Sequence, residues 1–291
     1  MGGERLDFVM QAAITSSPDP SRHQTGPRWA RLAAVGCALL LVGASAWASP
    51  DAVRAAGPGP GRTLDQTIGG TSTTAKSHNW AGYAVEGKGV TFHSAIGSWV
   101  QPAAACPGNT VAGAAFWVGL DGYLKNSKTV EQIGADSDCS GAAIYYAWWQ
   151  MYPGPLVHIP FAVSPGDSMT AAVSASGSTF TLTLSNNSQG WSFTTTQSAS
   201  AKESSAEWIA EAPLGCNGCS SGKLANFGSV TFSGLAVTYA CKKCSGTPPF
   251  NNVQIQMVKG KTTLASTGLE VGGSSFTISV PQGKGKPARL H

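Results

Sequence analysis

Glu207 and Glu211 lie in the segment SSAEWIAEAP (residues 204–213), two carboxylates in an otherwise apolar run of a 291-residue chain that carries 15 Asp and Glu in all. If the segment is a strand, alternation sets Glu207, Ile209 and Glu211 on one face and Ala206, Trp208 and Ala210 on the other. Trp208 demands a packed face, so the glutamates look either into solvent or into a functional surface. A glutamate partly desolvated against aromatic side chains has a raised pKa, so it can take a proton from water and later return it to a leaving group. For an arbitrary strand glutamate a solvated face is the ordinary reading, and residues elsewhere in the chain must decide.

Other hydrolytic chemistries find little support. There is no H-E-x-x-H zinc helix, and the histidines beyond the N-terminal region are His78, His93, His158 and His291. Asp136-Ser137-Asp138 is similar to the D-S-G of an aspartic protease but lacks the glycine and has no second copy. Glu207 with Glu211 superficially fits a glycoside hydrolase. Their Cα atoms would be about 13 Å apart, and long side chains could converge toward the roughly 5–9.5 Å that such carboxyl pairs need. Ile209, however, stands between them where such enzymes commonly carry an aspartate. The nine Trp and six Tyr would also allow a non-catalytic carbohydrate-binding module.

The elements that must position these residues are short strands. SAIGSWVQ, AAFWVGL, AIYYAWWQM, SMTAAVSA, TFTLTLS, WSFTTTQ, AEWIAEA, GSVTFSG, NVQIQMV and SFTISV are rich in Val, Thr and aromatics and are bounded by Gly, Pro, Asn or Ser. No window shows a 3.6-residue period. Strands at this spacing predict one all-β domain over 76–280, an antiparallel sandwich or barrel large enough to bury its own core.

Residues 1–48 read as a secretory signal: Arg28 and Arg31, the apolar run LAAVGCALLLVGASAWA, and small residues at Ala46 and Ala48 ahead of a cleavage site. The apolar core is shorter than the roughly 20 residues needed to cross a bilayer. The mature chain is therefore expected to be secreted and free of the membrane. Residues 49–75, rich in Pro, Gly, Ser and Thr, read as a linker or short propeptide, and 281–291 as a disordered tail. Beyond the signal, 15 Lys and Arg face 12 acids. That small, scattered excess argues against a nucleic-acid partner. So few carboxylates also leave little of the fold dependent on ionised pairs, which predicts tolerance of acid.

The stretch AAFWVGLDGYLKNSKTVEQIGADSD (114–138) reads as a strand, a loop and a second strand holding Gln132. With AEWI at Glu207 it resembles the glutamic peptidases, or eqolisins, in which a W-V-G-I-D-G strand precedes a catalytic glutamine in a Q-x-G context and a catalytic glutamate follows in A-E-W-I. Further similarities run in order over about 155 residues: NWAGY at Asn79, SWVQP at Ser98, YAWWQMYP at Tyr146, PGD at Pro165 and NFGSVTF at Asn226. The resemblance implies a bent sandwich of two long antiparallel sheets of the concanavalin A-like type, with Gln132 and Glu207 as the catalytic pair on one concave sheet. It also implies an acid-preferring endopeptidase acting on polypeptides, without metal or cofactor. A monomer is expected.

Gln132 suits that role because an amide cannot ionise, yet its NH2 can donate to a developing oxyanion while its carbonyl orients water. Trp117, Asp121, Asp136, Trp148, Gln150 and Glu211 are the supporting or substrate-binding candidates. Gln150 stands where the family usually has a glutamate. For Asp121 and Asp136 turn roles are an equal alternative, for Trp117 core packing, and for Glu211 a solvated position. Cys37 falls within the signal, leaving six cysteines. Cys106 and Cys139 flank the two site-bearing strands and are candidates to pair. Cys216, Cys219, Cys241 and Cys244 form CNGC and CKKC, a spacing open to zinc in a reducing compartment. Export favours disulfides, either across the two motifs or within each.

Overall fold

The computed structural model describes residues 64–66, 72–213, 222–242 and 249–281. The expected signal, most of the 49–75 segment, the tail beyond residue 281, and Cys216, Cys219 and Cys244 lie outside the described residues. The chain forms β1 (Leu64–Gln66), β2 (Ser72–Ser77), β3 (Trp80–Glu86), β4 (Val90–Val100), β5 (Val111–Ala112), β6 (Ala115–Leu120), β7 (Val130–Ser140), β8 (Ala143–Tyr152) and β9 (Val157–Ile159). It continues through β10 (Ser168–Ser176), β11 (Thr179–Asn186), β12 (Trp191–Ser198), β13 (Ser205–Glu211), β14 (Ser229–Cys241), β15 (Asn251–Lys259), β16 (Thr262–Thr267) and β17 (Ser275–Ser279). The described residues contain no helix. All ten segments picked out by alternation coincide with strands. Pairing starts ahead of residue 76, because β2 runs parallel beside β15 and β1 pairs with β14.

Two sheets result. In the first, β9, β8, β7, β6, β13, β3 and β15 lie side by side, antiparallel throughout. In the second the order is β12, β11, β10, β4, β14, β17. β16 passes from one to the other, pairing first with β15 and then with β17. The sheets face each other across a core that includes Val118, Leu120, Ile133 and Trp208 from the first and Phe92, Val173, Leu182 and Phe232 from the second. Strict alternation in the second sheet explains this: β11 buries Phe180, Leu182 and Leu184 and turns Thr181 and Thr183 outward.

The first sheet differs, because β6 and β13 are buried on both faces. Its side away from the core carries a second apolar cluster of Trp80, Trp117, Trp148, Ile209, Val253 and Ile255. Trp208 ties the two sheets together: its indole N–H donates to the Ile96 carbonyl at 2.8 Å, and its ring lies against Gly97, where an added Cβ would come within 2.6 Å.

Candidate active site

Five strands of the first sheet align Gln150, Gln132, Gly119, Glu207 and Ala84 in one cross-sheet row. Residues opposite one another across a ladder share a face, so Gln132 and Glu207 emerge on the same side with a single strand between them. Their Cα atoms are therefore about 10 Å apart. The residue between them is Gly119, which has no side chain to fill the gap. A Cβ there would meet the Trp117 ring at 2.9 Å and the Glu131 carbonyl at 3.1 Å. Along the same face the next row holds Trp148, Gly134, Trp117, Ile209 and Gly82, and the one beyond holds Tyr146, Asp136, Ala115, Glu211 and Trp80.

Glu207 is fully buried, and among the described residues neither carboxyl oxygen has a hydrogen-bond partner. Burial pushes its pKa well above the usual carboxyl range, and the charges of Asp121 and Glu131 push the same way. The nearby Ser205 hydroxyl and Tyr123 backbone oppose the rise without reaching hydrogen-bond geometry. Gln132 is also buried; its Nε2 donates to Gln150 Oε1 at 3.0 Å, while its Oε1 has no partner. Gln150 Nε2 in turn donates to the Gly154 carbonyl at 2.8 Å. The face thus presents three buried acceptor oxygens without donors, one from Gln132 and two from Glu207. Buried polar atoms left this way cost about 1–3 kcal/mol each, a cost that bound water or substrate would relieve.

Two rows away the remaining carboxyls hold aromatic side chains. Glu211 accepts the Trp117 indole N–H and the Asn79 amide, both at 3.0 Å. Burial raises its pKa to about 7 against these donors. Asp136 accepts the Trp148 indole N–H through a very short contact. The Tyr146 hydroxyl lies 2.9 Å from both Asp136 Oδ2 and Asp138 Oδ2. One phenolic proton serves only one of them, so the second contact is a hydrogen bond only when an aspartate is protonated. The pKa values agree: burial and then the charge of Asp138 raise Asp136 well above normal, and burial raises Asp138 to about 6. Trp117 and Trp148, the two indoles beside the Gln132–Glu207 row, are in this way fixed from behind by Glu211 and Asp136.

Residues 78–280 match the Peptidase A4 family. The chain belongs to the Peptidase A4 family. It is therefore a glutamic endopeptidase, an eqolisin. Aspergillopepsin-2 of Aspergillus niger is 30% identical over 198 residues, spanning 59% of this chain and 68% of that protein. The fold is similar to that of scytalido-glutamic peptidase, solved with a transition state analog inhibitor: TM-score 0.59, 24% identity, 70% of this chain and 98% of that one. SCP-B, an eqolisin solved with the tripeptide Ala-Ile-His, matches at TM-score 0.55 and 22% identity, covering 70% of this chain and 98% of its own.

In this eqolisin the residues singled out from sequence fall into three groups. Gln132, Glu207 and Gln150 share one row. Trp117, Trp148, Asp136 and Glu211 lie along the same face, and Glu211 is held by two donors instead of being solvated. Asp121 is buried and serves a turn: at φ 64° it accepts the backbone N–H groups of Lys202, Glu203 and Ser204 at 3.0, 2.7 and 2.9 Å, and the Ser204 hydroxyl at 2.6 Å. It thereby anchors the segment leading into β13, while its charge still reaches Glu207.

Cys106 and Cys139 form a disulfide that fastens the loop ahead of β5 to the end of β7. Cys241 is also disulfide-bonded. Sequence reasoning missed Glu131, which sits beside Gln132 but on the core face, fully buried with both oxygens unpartnered. Burial, and then the charge of Asp121, raise its pKa to about 8. It could not be found by alternation, because the rule assigns the core face of β7 to apolar residues.

Proposed function

We propose that this peptidase is a secreted acid endopeptidase in which Glu207 and Gln132 direct water onto the scissile carbonyl. The observation that carries the reading is the row itself: an amide and a carboxyl on one face, separated by a glycine, with their acceptor oxygens uncommitted. Burial raises the Glu207 pKa well above the usual carboxyl range, and on this reading the neutral carboxyl is the working form at acid pH. Its carbonyl oxygen takes a proton from water as the water oxygen bonds to the substrate carbon, and its hydroxyl delivers the other proton to the substrate. As the C–N bond breaks, Glu207 gives the water-derived proton to the departing amine and takes one back from a hydroxyl of the tetrahedral species, so the carboxyl ends neutral. The second N–H of Gln132, the one not given to Gln150, donates to the developing oxyanion. Gln132 Oε1 accepts from the attacking water.

Activity on this account declines as pH rises through the elevated Glu207 pKa. Polypeptide substrates, a monomeric state and cleavage after Ala48 complete the reading; the three disulfide-bonded cysteines, Cys106, Cys139 and Cys241, support export. Glu211 gives both oxygens to Trp117 and Asn79, so it does not stand beside Glu207 as the second free carboxylate that glycoside hydrolysis needs. Cleavage of a denatured protein at pH 3–5 tests the assignment. Glu207→Gln should abolish it, whereas Glu211→Gln, which can still accept the Trp117 N–H, should retain measurable turnover. Equal loss in the two variants would contradict the assignment of a single carboxyl.

A further inference from the structure

A glutamine amide has nearly the same shape in its two orientations, so which end faces a neighbour is decided by hydrogen bonding alone. In this molecule the decision starts at a group with no choice. The Gly154 backbone carbonyl can only accept, and Gln150 meets it with Nε2 at 2.8 Å. Gln150 Oε1 therefore points the other way, and only an N–H can face it. Gln132 supplies Nε2 at 3.0 Å. Its own Oε1 is left buried and without a hydrogen-bond partner, in the row that also holds Glu207. Both residues are at most 2% exposed, so the contact between the two amides is shielded from bulk solvent. A reversal would set oxygen against oxygen or N–H against N–H in the interior and leave each group orphaned.

We propose that Gln150 is a positioning residue that fixes which end of the Gln132 amide meets the attacking water, and that it takes its own polarity from the Gly154 carbonyl. The inference rests on the Gln132–Glu207 reading above. It implies that position 150 needs a group that donates on one side and accepts on the other. A protonated carboxyl meets that requirement and an ionised one does not, because the ionised form has no proton for Gly154. The titratable groups around position 150 are Glu207 across Gly119, Tyr152 two residues on along β8, His158 on β9 beside Trp148, and Glu131 on the far face of β7.

The test is the pH dependence of kcat and KM on a peptide substrate for wild type, Gln150→Met and Gln150→Glu, with thermal melting of each. Gln150→Met, similar in volume but without either hydrogen bond, should lose about 10–100-fold in kcat at every pH with KM little changed, as misorientation of a reacting group does. Gln150→Glu should recover most of that loss near pH 3. It should forfeit the gain as the introduced carboxyl ionises, giving a falling limb on the acid side of the wild-type one.

Full kcat in Gln150→Met, or an equal loss for Gln150→Glu at all pH values, would overturn the inference. If Gln150→Met does not fold, the Gln150→Glu profile decides alone: a limb coincident with wild type refutes the role. Gln132→Ala and Glu207→Gln run alongside. Turnover surviving in either would fault the catalytic pair, a result distinct from a dead pair with an indifferent Gln150.

Discussion

The gap between Gln132 and Glu207 exists because residue 119 is glycine. A methyl group there would press on the Trp117 ring and the Glu131 carbonyl and would occupy the space over the strand where a water must sit between amide and acid. Gly119→Ala should therefore lower kcat by about 100-fold or more while leaving a folded protein by circular dichroism; kcat within a few-fold of wild type would show that the gap is not used. Some of this was readable in the sequence. The W-V-G-L-D-G and E-Q-I-G stretches named the residues, and alternation placed Glu207 and Glu211 on one face. What could not be read was which oxygens are committed. Whether Glu211 is solvated or held, and whether Asp121 tunes a carboxyl or closes a turn, depends on Asn79, Trp117 and Lys202–Ser204, partners that lie from 81 to 132 residues away.

At the level of elements, β13 is the strand on which the site depends, since it carries Glu207 outward and Trp208 inward. The indole of Trp208 fastens that strand to β4 through the Ile96 carbonyl and the bare backbone of Gly97. Trp208→Phe removes the N–H and leaves the carbonyl orphaned, so it should destabilise the fold by about 1–3 kcal/mol. A urea midpoint unmoved from wild type would argue that the sheets are held without it. Strands with one buried face, such as β10, β11 and β14, announce themselves by alternation. By contrast, β7 holds VEQIGADSDCS, in which polar residues fill buried positions on both faces, and only the E-Q-I-G stretch pointed to it. β2 and β16, polar and peripheral, gave no signal; β2 gains its place by parallel pairing with β15.

Over the whole molecule, the scarcity of carboxylates predicted acid tolerance, and their placement sharpens that expectation. Glu131, Asp136, Asp138, Glu207 and Glu211 all hold their protons more tightly folded than unfolded. Between the unfolded and folded pKa values the native state binds more protons, so stability is fully present below about pH 4 and falls as pH rises. For Glu131 the window runs from 4.5 to about 8, at about 1.4 kcal/mol per pH unit. Tm should accordingly drop from pH 4 to pH 8, and Glu131→Gln, neutral at every pH, should flatten that decline while matching wild type near pH 3. A Tm that climbs toward neutrality would refute the interior proton count.

The central claim is that Gln132 and Glu207 act as one unit, and a double-mutant cycle in kcat/KM at acid pH tests it most directly. Gln132→Ala and Glu207→Gln should each remove nearly all peptide cleavage, and the double variant should be scarcely worse than the poorer single one, as for groups that share one step. Losses that simply multiply, or substantial cleavage by either single variant, would contradict it.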